Sequence, residues 1–404
     1  MSLRLAWRNI WRQRRRTLLT LSAIAFATFF LVFMLAVQYS TYAIAIENTL
    51  RVFPGVLQVQ HSDYAEKQRM EDTVANSGER MGEVEEALGI ESITQRAHGR
   101  GMVSSDTRSR GVEMVGVEPE REGRVSTLPN LMTEGRYIRE GTEAVLGESL
   151  ATRLQVEPGD ELVFMGQGRH GSMAVTTLKV VGLFHSGEPE LDQSLVQMPV
   201  TSFQNTFNLQ GEAHALVLGD IELGDLPEAT TTLRSLLADE PDLRVLEWEE
   251  LVPGLDQTIA LDQAGAWIMY VVLVVVVVLS ILTAFLMSVM ERTREFGVMM
   301  ALGMTHRRIT RLIFTETMLL VLIGVLVGLG LGVAAIEYFR TAGLPVPGGE
   351  LASEFHLPSE IHPRLTVLSA VVGPAIVLVL TLLAALYPIS RIRRMQPVDA
   401  MKAV

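Results

Sequence analysis

The sequence predicts a membrane α-helical protein: four transmembrane helices, with a large α/β extracytoplasmic domain of two lobes inserted between the first and second. Three observations predict it. Residues 17–46, 267–290, 317–336 and 365–390 contain no Asp, Glu, Lys or Arg, and each run reaches at least 20 residues. A helix crosses the hydrocarbon core with about 20 apolar residues. Charge is segregated: residues 1–16, 290–312 and 388–404 together carry 15 basic and 3 acidic side chains, whereas 39–265 carries 17 basic and 38 acidic ones. That acidic stretch holds no run long enough to span, and strand-like and helix-like patterns alternate along it. A chain of 404 residues that is 48% apolar, with mean hydropathy +0.28, yet carries 34 Lys+Arg and 46 Asp+Glu is no soluble enzyme, coiled coil or disordered protein.

The elements follow in order. Residues 1–16 place Leu3, Trp7, Ile10 and Trp11 at helical spacing, with Arg4, Arg8, Arg12 and Arg15 on the other side. That predicts an amphipathic helix lying along the inner membrane face. The first span, 17–38, is preceded by a basic segment but is too long for a signal-peptide core and has no obvious cleavage site, so it reads as an anchor. Within 39–265 the strand-like stretches are Val56–Gln60, Ser92–Arg96, Val112–Val117, Glu161–Met165, Ala174–Val181 and Ala213–Leu218. Helical patterns cover Glu79–Leu88, Glu148–Leu154 and Pro227–Asp239, and Pro199–Phe207 is ambiguous. A strand-rich lobe is expected over roughly 126–212, and 253–266 is expected to continue as helix into the second span, 266–290. A cytoplasmic segment, 291–312, leads to the third span, 313–336. A short external loop, 337–364, then precedes the fourth span, 365–388, and a cytoplasmic tail, 389–404. Loops rich in Lys and Arg stay inside, so both termini and 291–312 are expected in the cytoplasm and the acidic domain outside. Nucleic-acid binding finds no support in this charge pattern. With no cysteine in the chain, the outer domain is expected to fold without disulfides or thiolate metal sites.

Catalytic motifs are missing. There is no Gly-x-Ser-x-Gly elbow, no His-Glu-x-x-His and no phosphate loop, so no catalytic, cofactor or metal site is assigned. Gly166-Gln-Gly168-Arg-His-Gly171 spells GxGxxG but lies between two strand-like stretches, so it is expected to be a hairpin loop. His170, His185 and His214 show no ligand spacing and read as solvated or structural.

The informative segment is Glu291-Arg-Thr-Arg-Glu-Phe-Gly-Val-Met-Met-Ala-Leu-Gly303. It predicts a short helix with an apolar face of Phe296, Val298, Met299 and Leu302 between charged ends. Such a face either seats in a protein groove or packs beneath its own bundle. In the third span, Gly324, Gly328 and Gly332 repeat every four residues and allow close helix approach, within the bundle or against a second chain; packing within the bundle is the favoured expectation. Glu316 at the inner end of that span needs a partner, expected from Arg391–Arg394. Phe26, Phe29, Phe30, Phe33 and Met34 crowd the outer half of the first span, where they line a cavity for acyl chains or face lipid.

The motif Glu-Arg-x-x-Glu-Phe-Gly-x-x-x-Ala-Leu-Gly resembles the signature of FtsX/MacB-type (type VII) ABC transporter permeases. Tyr387-Pro-Ile-Ser-Arg-Ile-Arg-Arg-Met-Gln-Pro397-Val-Asp-Ala400 resembles the family's closing motif, and Ala6-Trp-Arg-Asn-Ile-Trp-Arg-Gln-Arg-Arg-Arg-Thr17 its opening one. In the outer domain, Gly147–Asp160 and Val181–Asp192 most resemble the lipoprotein-releasing (Lol-type) members. The resemblance implies a permease that pairs with a second copy or a paralogue and recruits an ABC ATPase dimer, which carries the ATP and Mg. No cofactor is then expected on this chain, which is not itself an enzyme. It further implies that Glu291, Arg294, Glu295, Phe296, Gly297, Met300, Ala301, Leu302 and Gly303 couple to that ATPase, with Phe296 as the apolar anchor. The expected function is extraction of a lipidated or amphipathic cargo from the bacterial inner membrane, amid membrane lipid, toward a periplasmic carrier. The alternatives are MacB-like peptide or toxin efflux and FtsX-like regulation of a cell-wall hydrolase.

Overall fold

In the computed structural model, residue 7 and residues 11–345 and 360–393 are described, and the chain forms two compact units, 45–257 and 1–44 with 258–404. Most of the predicted 1–16 amphipathic helix, residues 346–359 of the external loop and the tail beyond 393 lie outside the described residues. Trp7 and Trp11 are within them, their ring centroids 6.0 Å apart.

In the α/β unit, hydrophobic runs build one ten-stranded sheet. In chain order its strands are β1 (Leu57–His61), β2 (Ile93–Ser104), β3 (Ser109–Val117), β4 (Met132–Gly135), β5 (Glu143–Gly147), β6 (Glu161–Gln167), β7 (Met173–Phe184), β8 (Leu195–Pro199), β9 (Ala215–Leu218) and β10 (Leu243–Glu247). β2 is the pivot. Its first residues, Ile93–Arg96, pair with β9, and its last, Gly101–Ser104, pair with β6. The ladder β2–β3–β8–β5–β7–β6 returns to β2 and closes a ring of six strands. Its apolar cluster includes Val103, Met114, Leu146, Phe164, Leu178 and Met198, all fully buried. Glycine makes the turn of β2 around that core possible. A Cβ on Gly101 would stand 2.4 Å from the Phe164 ring, and one on Gly99 would stand 2.8 Å from the Phe207 ring.

The strand-rich lobe expected over roughly 126–212 and the lobe expected from the rest of the region therefore share one sheet. The strands from both sets join through β2 and β3, because β2 is twelve residues long and each half has its own neighbour. The ambiguous stretch becomes the helix Val200–Phe207, which buries Val200, Phe203 and Phe207 on one face. The GxGxxG segment sits in the turn between β6 and β7, with Gly171 at φ +77°.

Two buried polar groups mark this unit. Arg96 and Glu122 are 1% and 0% exposed and meet twice, Nη2–Oε1 at 2.6 Å and Nε–Oε2 at 3.2 Å. The guanidinium lies 4.1 Å from the Phe53 ring centroid. His214 is fully buried; its Nδ1 accepts the His98 backbone N–H at 3.0 Å, and its ring is 4.8 Å from that of Tyr64. Burial, with the neighbouring His98 adding to it, pushes its pKa down to about 3, so the ring is neutral.

The helical unit draws on four helices long and apolar enough to cross a membrane: α1 (Arg14–Val52), α2 (Pro253–Glu291), α4 (His306–Ala342) and α5 (Val367–Arg393). The short α3 (Thr293–Ala301) links α2 to α4. Ile24, Leu31 and Leu35 of α1 pack with Val274 and Ile281 of α2, Val321 and Val325 of α4, and Val377 of α5. Away from α3, a polar cluster joins α1 to α2: Tyr42 Oη donates to Asp262 at 2.5 Å, and Tyr270 Oη donates to Gln38 Oε1 at 2.9 Å.

Candidate functional site

The segment 291–303 forms α3 and a tight turn. Gly303 adopts φ +92°, a left-handed conformation in which only glycine is unstrained, and its N–H bonds to the Met300 carbonyl at 2.9 Å. This ends α3 and starts α4 three residues later.

The helix presents two faces that composition alone had merged. Thr293, Phe296, Gly297 and Met300 recur at i, i+3, i+4 and i+7 and are buried. Phe296, 1% exposed, packs with Val289, Ile309 and Ile313. Arg294, Val298, Ala301 and Leu302 recur at i, i+4, i+7 and i+8 on the opposite side and are exposed, Leu302 at 82%. The expected single apolar face is thus divided, since Phe296 and Val298 lie about 200° apart on a helix. Phe296 anchors α3 to its own bundle, and the free apolar groups are Leu302 and Val298.

The acids of the segment are already engaged. Glu291 pairs with Arg16 at 2.6 Å, and Glu295 pairs with Arg12 at 3.0 Å and Arg292 at 3.3 Å. Arg292 also pairs with Glu316 at 2.9 Å and lies over the Phe296 ring, 5.5 Å from its centroid. Glu316 thus has a partner at the α2–α3 junction, and the partner expected from Arg391–Arg394 lies outside the residues whose side chains are described. Arg292 ties α3 to α4, a role the sequence reading missed. The signal available was the span 313–336, whose single acid, Glu316, lies near an arginine-rich loop.

The three glycines of α4 face α1. A Cβ on Gly324 would lie 2.7 Å from Ile24 Cγ2, one on Gly328 2.4 Å from the Ala25 carbonyl oxygen, and one on Gly332 3.0 Å from Val32 Cγ1. Such contact lets backbones approach and gain dispersion along their length.

Phe26, Phe29, Phe30 and Phe33 form a ladder of rings on α1, with centroids 5.9–6.4 Å apart, and it continues to Phe339 of α4 at 5.7 Å. Phe26 is 61% exposed. Met34 leaves the ladder and packs into the bundle core. Phe339 was absent from the sequence reading because it lies 306 residues from Phe33.

Comparison with known proteins gives these features a family. Residues 17–231 match the MacB-like periplasmic core domain, and residues 267–397 match the FtsX-like permease C-terminal domain. The chain is 25% identical over 319 residues to a lipoprotein-releasing system transmembrane protein LolE of Haemophilus influenzae, covering 75% of each chain. It is 23% identical to a lipoprotein-releasing system transmembrane protein LolC of Neisseria meningitidis serogroup B, covering 79% of each. Among solved structures, the periplasmic region of MacB from Actinobacillus actinomycetemcomitans aligns with 54% of this chain and 97% of its own, at 14% identity and a TM-score of 0.37.

Proposed function

The chain belongs to the FtsX/MacB (type VII) family of ABC transporter permeases and is a multi-pass membrane protein; from that premise we propose that it couples ATP hydrolysis on a partner subunit to release of a lipidated cargo from the inner membrane. In this reading α3 lies on the cytoplasmic side, the α/β unit is periplasmic, and the assembly pairs this chain with a second copy or a paralogue.

The observation that carries the cargo class is the phenylalanine ladder on α1. It is a partly exposed aromatic surface on a helix whose stretch 17–46 lacks any charged residue. Such a surface accepts acyl chains and offers nothing to an ion or a polar solute. Coupling falls to the outer face of α3, where Leu302 and Val298 stand free beside Arg294. Seating Leu302 in a groove would contribute about 1–2 kcal/mol.

Two measurements test this. Photocrosslinking residues at positions 26 and 30, in membranes containing cargo, should capture a triacylated protein; capture of lipid alone sinks the cargo reading. Leu302→Ala should weaken ATPase association roughly tenfold while the permease stays folded, and Glu295→Lys should impair recruitment by disturbing the Arg12–Glu295–Arg292 contacts. Phe296→Ala should instead destabilise the bundle by about 3–5 kcal/mol. Recruitment at wild-type level in both Leu302→Ala and Glu295→Lys removes α3 as the coupling element.

A further inference from the structure

We propose that Arg16, at the base of α1, is a positioning residue of the coupling element: it ties the joint between α2 and α3 to α1, so that movement of α3 reaches the phenylalanine ladder through α1. The inference rests on the reading of α3 as the ATPase-facing helix and adds the route from it to the cargo surface.

The joint falls on one residue. α2 ends at Glu291 and α3 begins at Thr293, and Arg292 between them sits at φ −97° and ψ 7°, off the helical path. A break at the end of an element is where α3 can swing against α2. Both sides of it are held by the segment that opens α1. Before the joint, Arg16 donates to Glu291 Oε2 at 2.6 Å and to the Ala284 carbonyl, further back along α2. After it, Arg12 meets Glu295 at 3.0 Å. Arg12 and Arg16 are one helical turn apart, as are Glu291 and Glu295, so the two pairs match in spacing across the break.

The two arginines differ in grip. The side chain of Arg16 is 23% exposed and bonds to a carboxylate and a backbone carbonyl, whereas that of Arg12 is 67% exposed. An arginine that served only as a charge anchor at the inner membrane face would stay in water, as the exposed Arg14 and Arg15 beside it do. Arg16 is turned inward instead, where partial burial strengthens its charge-assisted bonds.

The other ties of α3 lead elsewhere. Phe296 packs with Val289 of α2 and with Ile309 and Ile313 of α4, and Arg292 pairs with Glu316 of α4. Among the described residues, the ion pairs that run from this joint to the base of α1 and the turn before it are those of Arg16 and Arg12. Arg16 and Phe26 stand on one unbroken helix, about 15 Å apart along its axis. A helix is stiff over that distance, so a shift imposed at Arg16 is delivered at the ladder.

The test uses the full chain reconstituted in membranes with the ABC ATPase that co-purifies with it. Arg16→Gln leaves the exposed Leu302 and Val298 and the Phe296 anchor in place, so it should bind the ATPase within about threefold of wild type. Hydrolysis stimulated by a triacylated protein should fall at least roughly fivefold in turnover, with the KM for ATP unchanged. Arg16→Lys, which keeps a charge for Glu291, should recover part of that turnover, and Arg15→Gln should lose none. The chain has no cysteine, so Leu19→Cys and Val298→Cys can carry spin labels in a second arm that needs no partner. The distance between them should be narrowly distributed with Arg16 present and shifted or broadened by Arg16→Gln. Wild-type turnover in Arg16→Gln, equal losses in Arg16→Gln and Arg15→Gln, or an unchanged distance distribution overturns the inference. Failure of the wild type itself to recruit an ATPase sinks the permease reading instead, and the distance arm then still decides whether Arg16 sets the joint.

Discussion

The α/β unit and the charged end of the helical unit handle ion pairs in opposite ways. Arg96 and Glu122 are sealed from solvent, joined by two contacts, and capped by the Phe53 ring. At the helical end, Glu291, Glu295 and Glu316 are shared among Arg12, Arg16 and Arg292, with side chains 11–67% exposed. A sealed pair is costly to break, because the survivor is left charged in a low-dielectric interior. Arg12, Glu291 and Glu295, with side chains 40–67% exposed, can exchange partners at small cost, since water replaces whatever is lost, while Arg292 and Glu316 are mostly covered. The first arrangement locks a domain; the second leaves the outer contacts of α3 exchangeable.

The largest effect expected from this contrast is at Arg96. Arg96→Met should destabilise the α/β unit by about 3–5 kcal/mol, read as protease sensitivity and a lowered unfolding temperature. Arg12→Met in the open network should cost no more than about 1 kcal/mol. Adding Glu122→Leu to Arg96→Met should restore much of the loss, because no orphaned carboxylate remains. If Arg12→Met proves as damaging as Arg96→Met, the contrast fails.

A second effect separates the units by pH. His214 has its folded pKa at about 3, below the usual 6.5, so the unfolded chain binds its proton first. Stability is then intact above about pH 6.5 and falls as pH drops toward 3. Between pH 7 and 4.5 the loss should be roughly 2–3 kcal/mol, visible as hydrogen exchange rising in β2 and β9. His214→Gln should flatten that dependence even if it lowers stability at neutral pH. An unchanged slope in the variant would place the titration elsewhere.

The smallest effect tests packing inside the helical unit. Gly328→Leu sets a side chain against the Ala25 carbonyl and should cost about 1–3 kcal/mol, measured as yield of folded protein in mild detergent. Gly330, with open space around its Cβ position, should accept leucine without loss. Equal yields would mean that α1 and α4 can part without penalty.

Much of this was legible in the residues because it depends on local composition. The four apolar helices, the continuation of 253–266 as helix into α2, and the hairpin nature of the GxGxxG turn all follow from runs and alternation within a few residues. β5, β8 and β9 are buried at nearly every position. β9 was still legible as an unbroken apolar run, whereas β8, covered on both faces and so without alternation, is interrupted by Gln197 and ends in Pro199. β5 and β10 are only five residues long, and β4, at four residues, is mostly exposed, which leaves little pattern to read in any of them.

Sequence alone determined that the chain carries four long apolar helices with charge-free stretches, an acidic α/β region and an FtsX/MacB-type motif, since each is a property of contiguous residues. Tertiary structure decided which face of α3 is free, which arginine holds Glu316, and that β2 serves two sets of strands. Each of those depends on a helix rotation of about 100° per residue or on partners far apart in the chain, such as Arg16 and Glu291, 275 residues apart. Only the packed chain specifies such geometry.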